Sequence, residues 1–252
     1  MMQLVLIFVI YIIASFTQGV TGFGFGVFAT PMISLIFSPG VAVGMNAVLG
    51  TVNCTYNYFL LREYVDYKKS AKLFAVSLLF IPLGAYFLVS VMEEIVFLAM
   101  GTMVVVVTLH SMQQHRVKAD SIVYTKLGFV FPVLAGSVAG AFAAPGPILA
   151  PYMFAREKDP FVAKANLQFI FSLMSIIIIA SHTVAGNLSV DTLLLSLPYI
   201  PLVFLFTKIG AAVSFKLKKE LFRRVEYSAL LLLGAYLIFQ NLTKLLSFGN
   251  WP

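Results

Sequence analysis

The chain has 252 residues, of which 60% are hydrophobic and only 11% charged, with a net charge of +7 and a mean hydropathy of +0.96. Soluble domains are about 25% charged, and apolar runs of about 20 residues, each long enough to cross the hydrocarbon core as a helix, recur along this sequence. A soluble domain is thereby excluded, and the expected fold is an all-α integral membrane protein, a polytopic bundle.

The surplus of positive charge does not point to nucleic acid. The basic residues fall in short segments between apolar runs, as the positive-inside rule requires. The single cysteine, Cys54, lies inside an apolar run. It excludes an internal disulfide and most metal frameworks and reads as a small packing residue. No cluster of His, Cys and carboxylate suggests a metal, and no nucleophile–base pair stands out. The protein is therefore not expected to be an enzyme or to need a cofactor.

In chain order, the first 17 residues carry neither a basic n-region nor a small-residue cleavage site, so they are expected to stay in the mature protein. Region 3–37 reads as two apolar arms around a break, "GVTGFGFG" (Gly19–Gly26), and full spans follow near 41–61, 71–90 and 95–112. These make a first repeat over 1–113. The second, over 114–252, opens on region 124–155 with the break "GAFAAPGP" (Gly140–Pro147) and continues with spans near 163–184, 192–213 and 225–243. Most of the arms beside the breaks are about 9–16 residues, short for a crossing. They predict re-entrant hairpins or pairs of short helices.

Charge orients the segments. Arg62, Lys68, Lys69 and Lys72 place the loop after 41–61 inside, and Glu93 and Glu94 suit the outside. Arg116, Lys118 and Lys126 are inside, as are Arg156, Lys158 and Lys164, so region 124–155 makes an even number of crossings. Asn187 to Asp191 falls outside, and the loop with Lys216, Lys218, Lys219, Arg223 and Arg224 inside.

The halves resemble each other. Pro31 matches Pro151, Pro39 and Ala42 match Pro160 and Ala163, and Asn46 matches Asn166. "EYVD" (Glu63–Asp66) matches "LSVD" (Leu188–Asp191), and Gly84-Ala85 matches Gly210-Ala211. The offsets drift slowly: 120 (151 − 31), 121 (160 − 39), 125 (191 − 66) and 126 (210 − 84). Asp66 falls inside and Asp191 outside on the charge rule, so the repeats are expected to be inverted. Inverted repeats with interrupted segments at matching positions are a recurrent transporter plan, with the site at the midplane.

The breaks suggest a chemistry. A helix that starts within the membrane exposes N–H groups and the positive end of its dipole, and an anion is a natural acceptor. Gly22, Gly24 and Gly26 allow sharp turning and close approach, and Phe23 and Phe25 between them would supply an aromatic wall. Pro145 and Pro147 around Gly146 suit a helix start. Gln18 and Thr21 border the first break; Asn46, Asn53, Asn166 and Gln168, at roughly helical spacing with Thr51, Asn57, Ser172 and Ser175, would complete the shell. A second reading stands beside this one: Gly22/Gly26 and Gly136/Gly140 have small-xxx-small spacing, and the amides and hydroxyls could serve helix packing. "GFGFG" has the wrong spacing for a dinucleotide fingerprint. All ten acidic residues fall in loops or at span ends, which disfavours a cationic substrate. His182, near the outer end of a span, reads as an interfacial structural histidine.

With "GVTGFGFGVFATP", Pro39 to Ala42 and "EYVD" in order, and the pattern repeated, the chain resembles the sulfite exporter TauE/SafE family over almost its whole length. It departs at "AAPGP" (Ala143–Pro147), where more glycines are usual and only Gly146 is kept. The resemblance implies a secondary transporter of a small sulfur oxyanion (sulfite, sulfoacetate or another organosulfonate), often outward, in the bacterial cytoplasmic membrane. An anion channel, or a carrier of a different small organic anion, remains the alternative. The implied partners are the anionic substrate and the lipid bilayer, with a homodimer left open.

Overall fold

The computed structural model describes residues 2–113, 128–214 and 219–248, and these are helical with no strand among them. Arg116, Lys118, Lys126, Lys216 and Lys218, on which part of the charge-based orientation rests, lie outside the described residues, as do the side chains of Lys219, Arg223 and Arg224.

The first half comprises α1 (Met2–Thr21), α2 (Phe25–Ser34), α3 (Pro39–Leu61), α4 (Tyr67–Leu78), α5 (Ile81–Ser90) and α6 (Glu93–Gln113). The second comprises α7 (Val130–Phe142), α8 (Gly146–Arg156), α9 (Pro160–Val184), α10 (Val190–Ser196), α11 (Ile200–Val213) and α12 (Lys219–Phe248). A 3₁₀ turn, Arg62–Tyr64, follows α3, and another, Leu197–Tyr199, joins α10 to α11. Among the described residues, four stretches are long and apolar enough to cross a membrane: Gln3–Thr21, Tyr67–Ser90, Pro160–Val184 and Val190–Val213. The protein is an integral membrane bundle.

Two expectations change. The spans near 71–90 and 192–213 are each divided, into α4 and α5 and into α10 and α11. The sequence carries the reason. Pro82, Pro198 and Pro201 lack an N–H, and each ring clashes with the carbonyl four residues earlier. The breaks, in turn, are shorter than the glycine-rich stretches. Only Gly22 to Gly24 and Ala143 to Pro145 leave the helix, and α1, at 20 residues, is long enough to cross alone.

The packing pairs helices across the halves. α1 runs along α11, α5 along α7, α3 along α9 and α6 along α12. Small residues set how close these pairs come. A Cβ on Gly19 would fall 2.5 Å from the Thr207 carbonyl oxygen and 2.8 Å from the Ala211 nitrogen, and a Cβ on Gly140 would meet the Ile81 carbonyl oxygen and, at 2.8 Å, the Ala85 nitrogen. These are the same contact twice, since 140 − 19 = 121 while 81 and 85 become 207 and 211 by adding 126. Gly136 also packs, against the Ser77 carbonyl. At these two positions the small-xxx-small reading of the sequence describes the structure.

Candidate functional site

The two breaks meet. A Cβ on Gly26 would strike the Ala143 carbonyl, and one on Gly146 would lie 3.0 Å from the Phe23 Cβ. Around this contact lies a cavity of about 430 Å³ of empty space, its open mouth included. Both breaks line it, through Gly24 to Val27 and Ala143 to Gly146, and so do Gln18, Asn46, Cys54 and Ser175.

The local backbone explains how the breaks are made. Gly22 and Gly24 have φ of 88° and 112°, left-handed values that cost a side-chain-bearing residue about 1–2 kcal/mol. The second break places Ala143 at φ 51°, the one non-glycine residue with positive φ among those described. A local tie holds it there: its N–H donates to the Ala139 carbonyl at 2.8 Å.

Each helix that ends at a break leaves carbonyls without helical partners, and donors satisfy them. On α1, Lys164 Nζ donates to the Gly19 carbonyl at 2.7 Å, and Gln168 Nε2 donates to the Gly22 carbonyl. On α7, the Thr30 hydroxyl donates to the Phe142 carbonyl at 2.7 Å, and His182 Nε2 lies 2.7 Å from the Gly140 carbonyl. Asn46 supports Thr30: its Nδ2 donates to Thr30 Oγ1 at 3.0 Å while its Oδ1 accepts the Tyr11 hydroxyl at 3.0 Å. Lys164 and Gln168 belong to the second half and cap the first break; the second break is capped by Thr30 of the first half, which Asn46 supports, and by His182 of the second.

The helices that start at the breaks are treated differently. The Phe25 N–H donates to Gln18 Oε1 at 3.0 Å, while Gln18 Nε2 donates to Cys54 Sγ at 3.0 Å. At the start of α8, Pro145 and Pro147 have no N–H, and Ile148 and Leu149 donate to the Pro145 carbonyl. The negative poles of α1 and α7 are thus tied down, and the positive poles of α2 and α8 face the cavity. None of the lining residues is charged, and no group of His, Cys or carboxylates among the described residues could hold a metal.

Of the residues singled out in the sequence, Gln18, Gly24, Phe25, Gly26, Asn46, Pro145 and Gly146 line the cavity. Thr21 closes the first break locally, its hydroxyl lying within hydrogen-bond reach of the Thr17 and Phe23 carbonyls. Gly22 packs on the Lys164 stem, Phe23 contacts the Phe154 ring, and Pro147 is buried in the first turn of α8. Gln168 sits behind Gln18, 3.5 Å away. Asn53 and Asn166 lie apart from the cavity: Asn53 Oδ1 accepts from Asn57, and Asn166 Oδ1 accepts the Asp66 N–H at 2.7 Å. Thr51, Ser172 and Ser175 bond to carbonyls of their own helices. His182 is fully buried in the protein, in the last turn of α9.

Sequence reasoning missed Lys164, counted only as a loop charge, and Thr30 and Tyr11. Lys164 did leave a signal, because it lies within the apolar pattern of α9 with no further charge before α9 ends. Cys54, read as packing, also lines the cavity.

The family model described as Sulfite exporter TauE/SafE matches residues 7–237, nearly the whole chain. No curated protein and no solved structure matches it.

Proposed function

The chain belongs to the sulfite exporter TauE/SafE family, membrane transporters of sulfite or related anions, and we propose that it is a secondary transporter that holds one small sulfur oxyanion where its two breaks meet. The observation that carries this reading is the cavity bordered by the starts of both α2 and α8. Helix starts direct the positive end of the dipole at an anion, and the lining carries no carboxylate of the kind that cation carriers place in the membrane. Sulfite, sulfoacetate and other organosulfonates share the group that such a site would grip. The working cycle is alternating access between two inverted repeats, 1–113 and 114–252, in the bacterial cytoplasmic membrane, with net export. The paired helices and the twice-used glycine contact support the duplication.

Flux into vesicles reconstituted with the full chain tests this, with sulfite, sulfoacetate, taurine, sulfate, chloride and sodium salts compared. Saturable flux of one sulfur oxyanion, accelerated by the same anion on the far side, is expected. Flux that neither saturates nor shows counterflow would mark a channel, and no response to any anion, by current or by tracer, would overturn the reading.

A further inference from the structure

A second polar cluster lies beside the cavity and outside its lining. Asn53, Asn57, Ser70 and Asn166 are each 0% exposed. Four of their side-chain atoms have no hydrogen-bond partner: Asn53 Nδ2, Asn57 Oδ1, Ser70 Oγ and Asn166 Nδ2. A buried polar group left unpaired costs about 1–3 kcal/mol, so four together in one region call for an occupant.

The four sit on three helices, and α9 packs against both of the others, α3 and α4. Phe169 of α9 lies 5.5 Å from the Tyr58 ring of α3 and 5.2 Å from the Tyr67 ring of α4. Asn57 adjoins Tyr58, Ser70 follows Tyr67 by one turn, and Asn166 precedes Phe169 by one turn. Asp66 links two of them: its N–H donates to Asn166 Oδ1, and its carbonyl accepts the Ser70 N–H at 2.9 Å. Asn57 Nδ2 donates to the Asn53 carbonyl and Oδ1, both at 3.1 Å, which fixes the orientation of both amides. Asn53 precedes Cys54 of the cavity wall, and Gln168, two residues after Asn166, reaches the first break.

We propose that this cluster is a second station for the transported anion, between the central cavity and the end of the bundle where α3 turns into α4. The proposal rests on the transport reading above. The orphaned atoms offer two amide donors, a hydroxyl and one fixed acceptor, Asn57 Oδ1. That set matches an oxyanion carrying one O–H: its oxygens accept from Asn53, Asn166 and Ser70, and its O–H donates to Asn57. A sulfonate without a proton meets Asn57 Oδ1 with like partial charge and is disfavoured there.

Equilibrium dialysis of radiolabelled sulfite and methanesulfonate against the purified full chain tests the station. Binding of a second sulfite equivalent, but not of a second methanesulfonate, is expected in mildly acidic buffer. Asn57→Asp should lose that second equivalent and keep the first. Ser70→Ala breaks no side-chain hydrogen bond, so the fold is retained. It should weaken the second equivalent about fivefold, the worth of one hydrogen bond, whereas a merely structural hydroxyl would leave it unchanged. A single sulfite equivalent in the unmodified chain, or a second equivalent indifferent to Ser70→Ala, overturns the station and leaves the central site standing. No binding of either anion overturns both.

Discussion

Lys164 Nζ lies 2.7 Å from the Gly19 carbonyl oxygen, at the end of the first broken arm, and the lysine stem packs beneath Gly22. One side chain thus holds both the exposed carbonyl and the turn that creates it. A cation at a helix C-terminus also opposes the negative pole there. Without it, that pole would face the same region as the positive pole of α2 and weaken the attraction for an anion.

Lys164→Met keeps the apolar stem and removes the charge. A hydrogen bond from a charged donor is worth about 1.5–3 kcal/mol, so the unfolding free energy in detergent should fall by about that amount and the midpoint temperature with it. Sulfite flux should fall with it. Unchanged stability would mean that the carbonyl is satisfied without the lysine.

Gln18 offers a sharper test of the central site. Its Oε1 holds the Phe25 N–H at 3.0 Å, the position an anion oxygen would take at the start of α2. Gln18→Glu puts a full negative charge there, facing both helix starts, and an incoming anion must displace it. Sulfite affinity should drop at least tenfold, about 1.4 kcal/mol. Gln18→Leu frees the N–H and should bind sulfite within a few-fold of the unmodified chain. Equal affinities for the Glu and Leu variants would place the anion elsewhere.

Gly26 separates crowding from backbone strain. A Cβ there meets the Ala143 carbonyl of the other break, so Gly26→Ala must push the two breaks apart. Overpacking of this kind costs about 1–3 kcal/mol. Gly186 is the control: its φ of 79° strains any side chain, but a Cβ there has nothing within 4 Å. Gly186→Ala should lose stability alone, whereas Gly26→Ala should lose stability and sulfite flux together. Flux retained in Gly26→Ala would show that the breaks need not touch.

The part of this architecture that local chemistry decides was legible in the sequence. Gly22 and Gly24 announce a break because they tolerate positive φ, and their neighbourhood is too apolar for an ordinary loop. Ala143 gives no such signal, since its left-handed backbone is held by a tie that forms only once α7 exists. The division of α4 from α5 was written in Pro82 but hidden by hydropathy, which counts apolar residues and not missing donors. The caps were least legible. Gln168 and the Gly22 carbonyl are 146 residues apart, and Thr30 and the Phe142 carbonyl 112; no local pattern pairs them. The lone charge of Lys164 early in an apolar helix could have been read, because a half-buried cation there needs an acceptor.

Cys54 turns the cavity into something that can be watched. It lines the central space, accepts from Gln18 Nε2, and is the only cysteine in the chain, so a thiol reagent has one target and no background. It is 6% exposed, and a small methanethiosulfonate can reach it only as the cavity opens. Labelling of the reconstituted protein should therefore be slow, and saturating sulfite should slow it further. The labelled protein should lose flux, because the adduct fills the space beside Gln18. Cys54→Ala removes a weak acceptor and a small apolar volume, and it should transport normally and resist the reagent. Labelling at the same rate with and without sulfite, together with full flux in the labelled protein, would separate this cavity from the transport path.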